Sequence, residues 1–418
     1  MKRSVSVAIG VLALGFVSAA VATPIQSTHG SLFDPNLGNS PGGLTIDPGS
    51  SSVTVTFDTD TLTVTAPGHD FSGHSFDLLR SENYGTGNGV ELAAFTFDTV
   101  ALGGGSGSVT VNVQGNRGLV LASMKFMTIE PNVTFNLNGS QGVDQGSSSG
   151  WSAGGIGGPG AEGGPRLSYD SNPPGTSRGR GGNGYDGGNP RNGTGYGGGQ
   201  AGSSKAGGSG GGYGGAGGAG EGSFGQVGQV YPGTDETLAT LYGGSGGAGG
   251  RGEHSVDVEA GGGGGGGAVQ LVARAAIVFK GTINANGGRG GNADSVGTIQ
   301  VASGGGGSGG AVLIGADVLD FTGTINANGG RGGYDRRDGS YAGSYYSFYQ
   351  GGAGGGGRIA FYYDGIAPGS SFANVSANGG AGRADGGEDG DDGTIWYSGD
   401  SGVGFPYGIP AGTMLVIQ

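Results

Sequence analysis

An eleven-residue stretch occurs twice without a single change. Gly281-Thr-Ile-Asn-Ala-Asn-Gly-Gly-Arg-Gly-Gly291 reappears as Gly323 to Gly333, 42 residues later. Self-similarity at a fixed long period means that one structural unit is laid against copies of itself, so a repeat architecture is expected before any local signal is weighed. A looser third copy, Val375-Ser-Ala-Asn-Gly-Gly-Ala-Gly382, follows after a spacing of 50, and Phe135-Asn-Leu-Asn-Gly139 is a degenerate earlier one.

The three later copies each follow a glycine tract and an apolar run: Ala268 to Arg274, Ala311 to Asp317, and Arg358 to Tyr363. Gly393-Thr-Ile-Trp-Tyr397 closes the series as a half unit. Aligned on their glycines, these runs place Val269, Val312, Ile359 and Ile395 in one column. Leu271, Ile314, Phe361 and Tyr397 form another, two residues on. Positions two apart share one face of a strand, so stacked units would build a continuous apolar interior. A second strand in each unit (Ile277 and Phe279; Leu319 and Phe321) and a third (Ile283 and Ala285; Ile325 and Ala327) give three strands per turn. Asn-Gly would supply left-handed corners, and Asn286, Asn328 and Asn378 could stack as a hydrogen-bonded ladder. The N-terminal part alternates with period two in Val53–Phe57, Thr61–Thr65, Ala93–Phe97 and Ser108–Val113, and no helical periodicity appears in the mature chain. The fold class expected is therefore all-β, a right-handed parallel β-helix or solenoid with long Gly-rich loops.

Glycine is 110 of 418 residues, without the three-residue period of collagen. Residues 139–267 are the richest in it, and are expected as loops leaning on the solenoid because a packed core cannot be made from glycine side chains. The remaining divisions follow: 1–22 as signal peptide, 23–138 as N-terminal β-rich coils and cap, 268–400 as repeat coils, 401–418 as a C-terminal cap strand. Lys2 and Arg3, the apolar run Val5–Val17 and the small-x-small pattern Ala20-Val-Ala22 predict cleavage before Thr23 and export. A secreted protein at the cell surface or in the matrix is expected, with no membrane span in the mature chain.

The order of signals resembles a class of glycine-rich proteins exported by bacteria. It runs from FTFDTVAL and VTVNVQGNRGLVLAS through LATLYGGSGGAGG and GGGGGGGAVQLVA to GTINANGGRGG and GGGGRIAFYY. Related GGGGSGG and SANGG units occur in plant surface proteins. The resemblance covers roughly residues 90–400 and implies a β-helical fold and an external location, not a chemistry.

The formal net charge of −13 argues against a nucleic acid partner. Lys205 is followed by Ala206 where a phosphate-binding loop needs Ser or Thr. His29, His69, His74 and His254 have no metal-ligand spacing, and there is no cysteine. Three surfaces carry candidate chemistry. The insertion before the third repeat holds Arg336, Arg337, Tyr341, Tyr345, Tyr346 and Tyr349, aromatic faces beside polar rims that suit polysaccharide or a surface protein. Asp385, Glu388, Asp389, Asp391 and Asp392 are oxygen donors interleaved with glycine, a set suited to calcium. Thr54, Thr56, Thr61, Thr63 and Thr65 suggest a binder of ice or another crystalline surface, but on sequence alone they are not repeated in register through the later units. The function expected is an exported structural or adhesive surface protein and not an enzyme. A carbohydrate lyase or hydrolase using carboxylates such as Asp58, Asp60 and Asp98 is the alternative.

Overall fold

The computed structural model describes residues 25–26, 33–40, 42–72, 75–81, 90–144, 150–161, 192–202, 205–222, 227–231, 238, 241–251, 258–293, 301–334, 348–383 and 386–398. The signal peptide and the proposed cap strand at 401–418 lie outside these residues. The described chain is all-β in its regular elements, with a short 3-10 turn at Pro35–Leu37.

Two sheets enclose the main core. In the larger, Val90–Phe97, Gly118–Ser123, Ala268–Phe279, Ala311–Phe321, Arg358–Ile366 and Thr394–Tyr397 pair in parallel, in that order. The register is the one the glycine alignment predicts: Val269 faces Val312, Val312 faces Ile359, and Ile359 faces Ile395, while Leu271, Ile314, Phe361 and Tyr397 align likewise. The second sheet stacks Val53–Asp58, Val109–Gln114, Val133–Asn136, Thr282–Asn284, Thr324–Asn326 and Val375–Ser376, again parallel. Like residues stack on like. Phe279 lies parallel to Phe321 at 5.4 Å in one column, and Phe361 to Tyr397 at 5.3 Å in another.

Three expectations need correction. The first two strands expected in each unit are one strand, bent at a register shift between Ala273 and Ala276, and each unit's remaining strand is instead a two-residue one before the glycine tract: Val258–Glu259, Val301–Ala302 and Phe348–Tyr349 pair in parallel in a small sheet of their own. The sheets are mixed: Asp77–Ser81 pairs antiparallel with Val90–Phe97, and Val53–Asp58 with Thr63–Thr65, so hairpins finish the N-terminal end. The Asn-Gly corners are also not left-handed, since Gly287, Gly329 and Gly379 are absent from the positive-φ residues. Glycine is needed there for closeness: a methyl group at Gly287 would land on the Gly307 carbonyl, at Gly329 on that of Gly354, and at Gly379 on that of Gly390.

The glycine tracts form a body of their own. In 304–311, Gly304, Gly307 and Gly310 donate to Gly291, Gly288 and Ala285; Gly305 and Ser308 donate to Ala248 and Ser245; Gly306 and Gly309 donate to Gly352 and Gly355, all at 2.8–3.0 Å. Successive amides thus turn to three different neighbours and return to the first every third residue. That is the period of an extended polyproline-II-type helix, which has three residues per turn and no internal hydrogen bonds. The segment 351–358 repeats the scheme, with Gly351, Gly354 and Gly357 bonded to Gly333, Gly330 and Ala327, Gly352 and Gly355 to Gly208 and Gly211, and Ala353 and Gly356 to Glu388 and Asp391. The rows run in tiers. Segments 137–143, 285–291, 327–333 and 377–382 form one tier, 152–158, 260–267, 303–310, 350–357 and 387–393 the middle, and 207–214, 215–221 and 243–250 an outer one, against which 193–200 and 227–231 are bonded in turn.

The described part of 139–267 is accordingly not a set of loops resting on a solenoid. Hydrogen bonds between buried backbones supply the cohesion that side chains supply elsewhere, and absence of a side chain is what allows the approach. The less biased stretch 227–242 has a different task. Tyr213, Tyr231, Leu238, Leu241 and Tyr242 form a second apolar cluster against Val120, Val272, Leu313 and Tyr362, covering the outer face of the larger sheet. This explains why Ala268–Phe279 reads as a nearly continuous apolar run, since both of its faces are buried.

Candidate functional site

The outer face of the second sheet is regular. Its inward positions alternate with outward ones, so Val111, Phe135, Ile283 and Ile325 enter the core while their neighbours point away. Thr54 faces Thr110, Thr110 faces Thr134, Thr134 faces Thr282, and Thr282 faces Thr324. Five threonines thus stand in one file across five strands. The expectation that the threonines are not repeated in register is overturned for Thr54 alone: Thr56 pairs with Asn112, and Thr63 and Thr65 lie in an antiparallel strand at the sheet edge. The threonine of Val53-Thr-Val, Val109-Thr-Val and Val133-Thr-Phe is the same position as that of Gly281-Thr-Ile and Gly323-Thr-Ile, a match visible only once the N-terminal strands are aligned with the later repeats.

Two residues along lies a second file: Thr56, Asn112, Asn136, Asn284, Asn326 and Ser376. Two further on, a third consists of Asn138, Asn286, Asn328 and Asn378. Both asparagine files are internally bonded. Asn326 Nδ2 donates to Asn284 Oδ1 at 2.9 Å, and Ser376 Oγ donates to Asn326 Oδ1 at 3.1 Å. In the third file each Oδ1 accepts the backbone N–H of the next asparagine, Asn286 to Asn138 and Asn328 to Asn286 at 2.9 Å, and Asn378 to Asn328 at 2.8 Å. The ladder anticipated from sequence is present as side chain to backbone bonds. Thr54 and Thr110 are exposed, and Thr134, Thr282 and Thr324 are half-buried. None of the three files contains a charged residue or an aromatic ring.

The aromatic insertion is described only at its ends. Arg336, Arg337, Tyr341, Tyr345 and Tyr346 lie outside the described residues. Tyr349 closes a short strand, Phe348–Tyr349, paired with Val301–Ala302, and its carbonyl accepts from Ser303. Tyr334, at the other end, is half in solvent with the Arg383 guanidinium 5.6 Å from its ring centre.

The acidic cluster is arranged around amides. Asp389 Oδ1 accepts from Gly382 at 2.6 Å, Asp392 Oδ1 from Gly379 at 2.8 Å, and Glu388 Oε2 from Ala219 at 3.2 Å; Asp391 is exposed, and Asp385 lies outside the described residues. Among the described residues no three His, Cys, Asp or Glu side chains converge as a metal site. Asp58 accepts from the amides of Asp60 and Thr61, Asp60 holds Asn116 and lies 3.5 Å from Arg117, and Asp98 accepts from Ser40. Asp58 thus shapes its own turn, while Asp60 and Asp98 tie theirs to segments more than fifty residues away in sequence. His69 Nε2 lies 2.8 Å from the Thr45 carbonyl, stacked on Phe71, while His29, His74 and His254 lie outside the described residues.

The structure defines the chain as an all-β repeat protein whose units join a hydrophobic β half to a glycine half. No protein-family model, curated protein or solved structure matches it. Among the described residues no helix is long and apolar enough to cross a membrane.

Proposed function

We propose that the chain is an exported structural or adhesive protein of the cell surface or matrix, working by many repeated contacts without chemical turnover. The observation that carries this reading is the register of the second sheet, which offers the same small uncharged groups at each repeat. A surface that repeats converts weak single contacts into avidity, provided its spacing is held rigidly. Rigidity is supported by the glycine rows, whose amides are bonded to three neighbours in turn. The finer fold reading belongs here as well: the successive parallel units are coils of a β-helix, right-handed because parallel crossover connections overwhelmingly take that hand. Export rests on the Lys2-Arg3, Val5–Val17 and Ala20-Val-Ala22 pattern, and the resemblance to exported glycine-rich bacterial proteins agrees with it.

Matrix polysaccharide is the proposed partner, engaged through the tyrosines and arginines of the insertion. Sedimentation of the mature protein with a panel of insoluble neutral and acidic polysaccharides tests this. Binding to at least one is expected, with loss in the Tyr345→Ala/Tyr346→Ala double variant. Retention unchanged in that variant, with its melting curve intact, would remove the insertion from the reading.

A further inference from the structure

The insertion does not account for the threonine file, and that file points to a different ligand. We propose, resting on the reading that the chain works by repeated contact with an ordered surface, that the outer face of the second sheet binds ice.

Three properties of the face select this occupant. The first is charge. In a chain of net charge −13 the three files contain only Thr, Asn and Ser, with Asp58 at the N-terminal margin two residues beyond Thr56, so the repeated part of the face is matched to an uncharged partner. The second is extent. Six strands at about 4.8 Å spacing, read across four residues of rise, give a strip of about 24 Å by 13 Å. That is well below the ~800 Å² each partner contributes to a stable protein complex, but a periodic solid needs no folded partner. The third is chemistry. Sugar rings dock on aromatic faces, and none is present in the files. Threonine instead offers a methyl group and a hydroxyl that can both donate and accept. No hydrogen bond of these five hydroxyls to another part of the described protein is found, whereas the asparagines beside them are bonded to one another and held in place. A fixed file of hydroxyls, one per strand, presents bonding positions to water at a constant interval, while the intervening methyl groups discourage competing arrangements. Such a surface holds its first water layer in a repeating pattern, which an ice face can continue without reorganisation.

The test uses the full mature chain, freezing a slowly growing ice hemisphere in dilute labelled protein and measuring the fraction incorporated. Recrystallisation of polycrystalline ice is followed in parallel. Wild type should enter the ice and keep crystals small. Thr110→Lys, at an exposed position where folding is least disturbed, should lower the effective concentration-dependent activity by about tenfold or more. Thr282→Val keeps shape and methyl groups but deletes one hydroxyl, and should lower it less. Tyr196→Lys, on the glycine side at a residue 46 % exposed, should change nothing. Exclusion of wild type from ice would overturn the proposal, as would full activity of Thr110→Lys with a native melting curve. Sedimentation with crystalline cellulose and chitin separates the two readings: retention there with exclusion from ice leaves the adhesive function standing and removes this one.

Discussion

Replacing Gly307 by Ala should destabilise the protein, and replacing Gly365 by Ala should not. Gly307 is in the middle tier, where its N–H donates to Gly288 at 2.9 Å. A methyl group there would meet the carbonyl oxygen and carbon of Gly264, which are backbone atoms with no rotamer to swing away. Relief requires moving 263–266, whose amides bond Gly305, Ser140 and Ser308. Overpacking of a filled interior costs about 1–3 kcal/mol, and slackening two backbone hydrogen bonds adds roughly 1 kcal/mol each. The expected loss is therefore about 3–5 kcal/mol by those two contributions. Gly365 lies in a strand with an ordinary φ, and its methyl would find Val318 at 3.8 Å and Asp317 at 3.9 Å, normal contact distances. The same substitution there restricts the unfolded chain and should stabilise by up to about 0.5 kcal/mol. Urea denaturation followed by circular dichroism gives the two midpoints, and hydrogen exchange at 261–267 locates the damage. Equal midpoints for the two variants would refute the claim that glycine is required for backbone approach.

Ser308 is fully buried, and its Oγ accepts the Ser245 N–H at 2.8 Å, so Ser308→Ala should cost about 1–3 kcal/mol by stranding a buried donor. Phe321, stacked on Phe279 and edge-on to Phe361, should cost about 3–5 kcal/mol when cut to Ala, measured by the same urea titration. Asn328→Ala breaks the ladder at a middle rung and should lower stability by about 1–2 kcal/mol, with exchange accelerating at the Asn378 amide. Because Asp389, Asp392 and Glu388 are already engaged with amides, millimolar calcium should leave the melting temperature unmoved; a clear upward shift, abolished by Asp389→Ala, would restore the cation site. N-terminal sequencing of secreted material should begin at Thr23.

The apolar columns were legible because alternation and the glycine tracts fix both the face and the register of a strand: Val269 must align with Val312 if the tracts align. The glycine tiers were harder to read, since a helix built from identical residues leaves little trace of its period. A trace does exist in the exceptions. Tyr242, Ser245, Ala248 and Arg251 are spaced by three, as are Ala153, Ile156 and Pro159, Asn286, Arg289 and Asn292, and Asn328, Arg331 and Tyr334. Three residues per turn puts each such set on one edge of its row, where a side chain has room. Ser245 and Ser308 show the rule inside the bundle, bonded to one another between the middle and outer tiers, with Tyr231 closing on Ser245 Oγ at 3.0 Å. The acidic residues misled for the opposite reason. Their interleaving with glycine looks like a cation loop, yet the carboxylates accept from amides of the row 377–382 for which no further unit among the described residues supplies carbonyls.

The two halves of each repeat divide the requirements of folding between them, and the division bears on function. The β half buries apolar side chains between sheets, which fixes every inward position. The glycine half satisfies its backbone against neighbouring backbones and asks nothing of side chains but their absence. Outward positions on the second sheet are then released from both demands, and they are used in two ways. The asparagines serve the stack, each Oδ1 of the third file holding the amide of the next unit. The threonine hydroxyls beside them make no such bond within the described protein, although serine or asparagine at the same positions could have extended the ladder. A file that repeats through five strands without contributing hydrogen bonds to the stack that carries it is better explained by what it meets outside the protein than by what it holds together within.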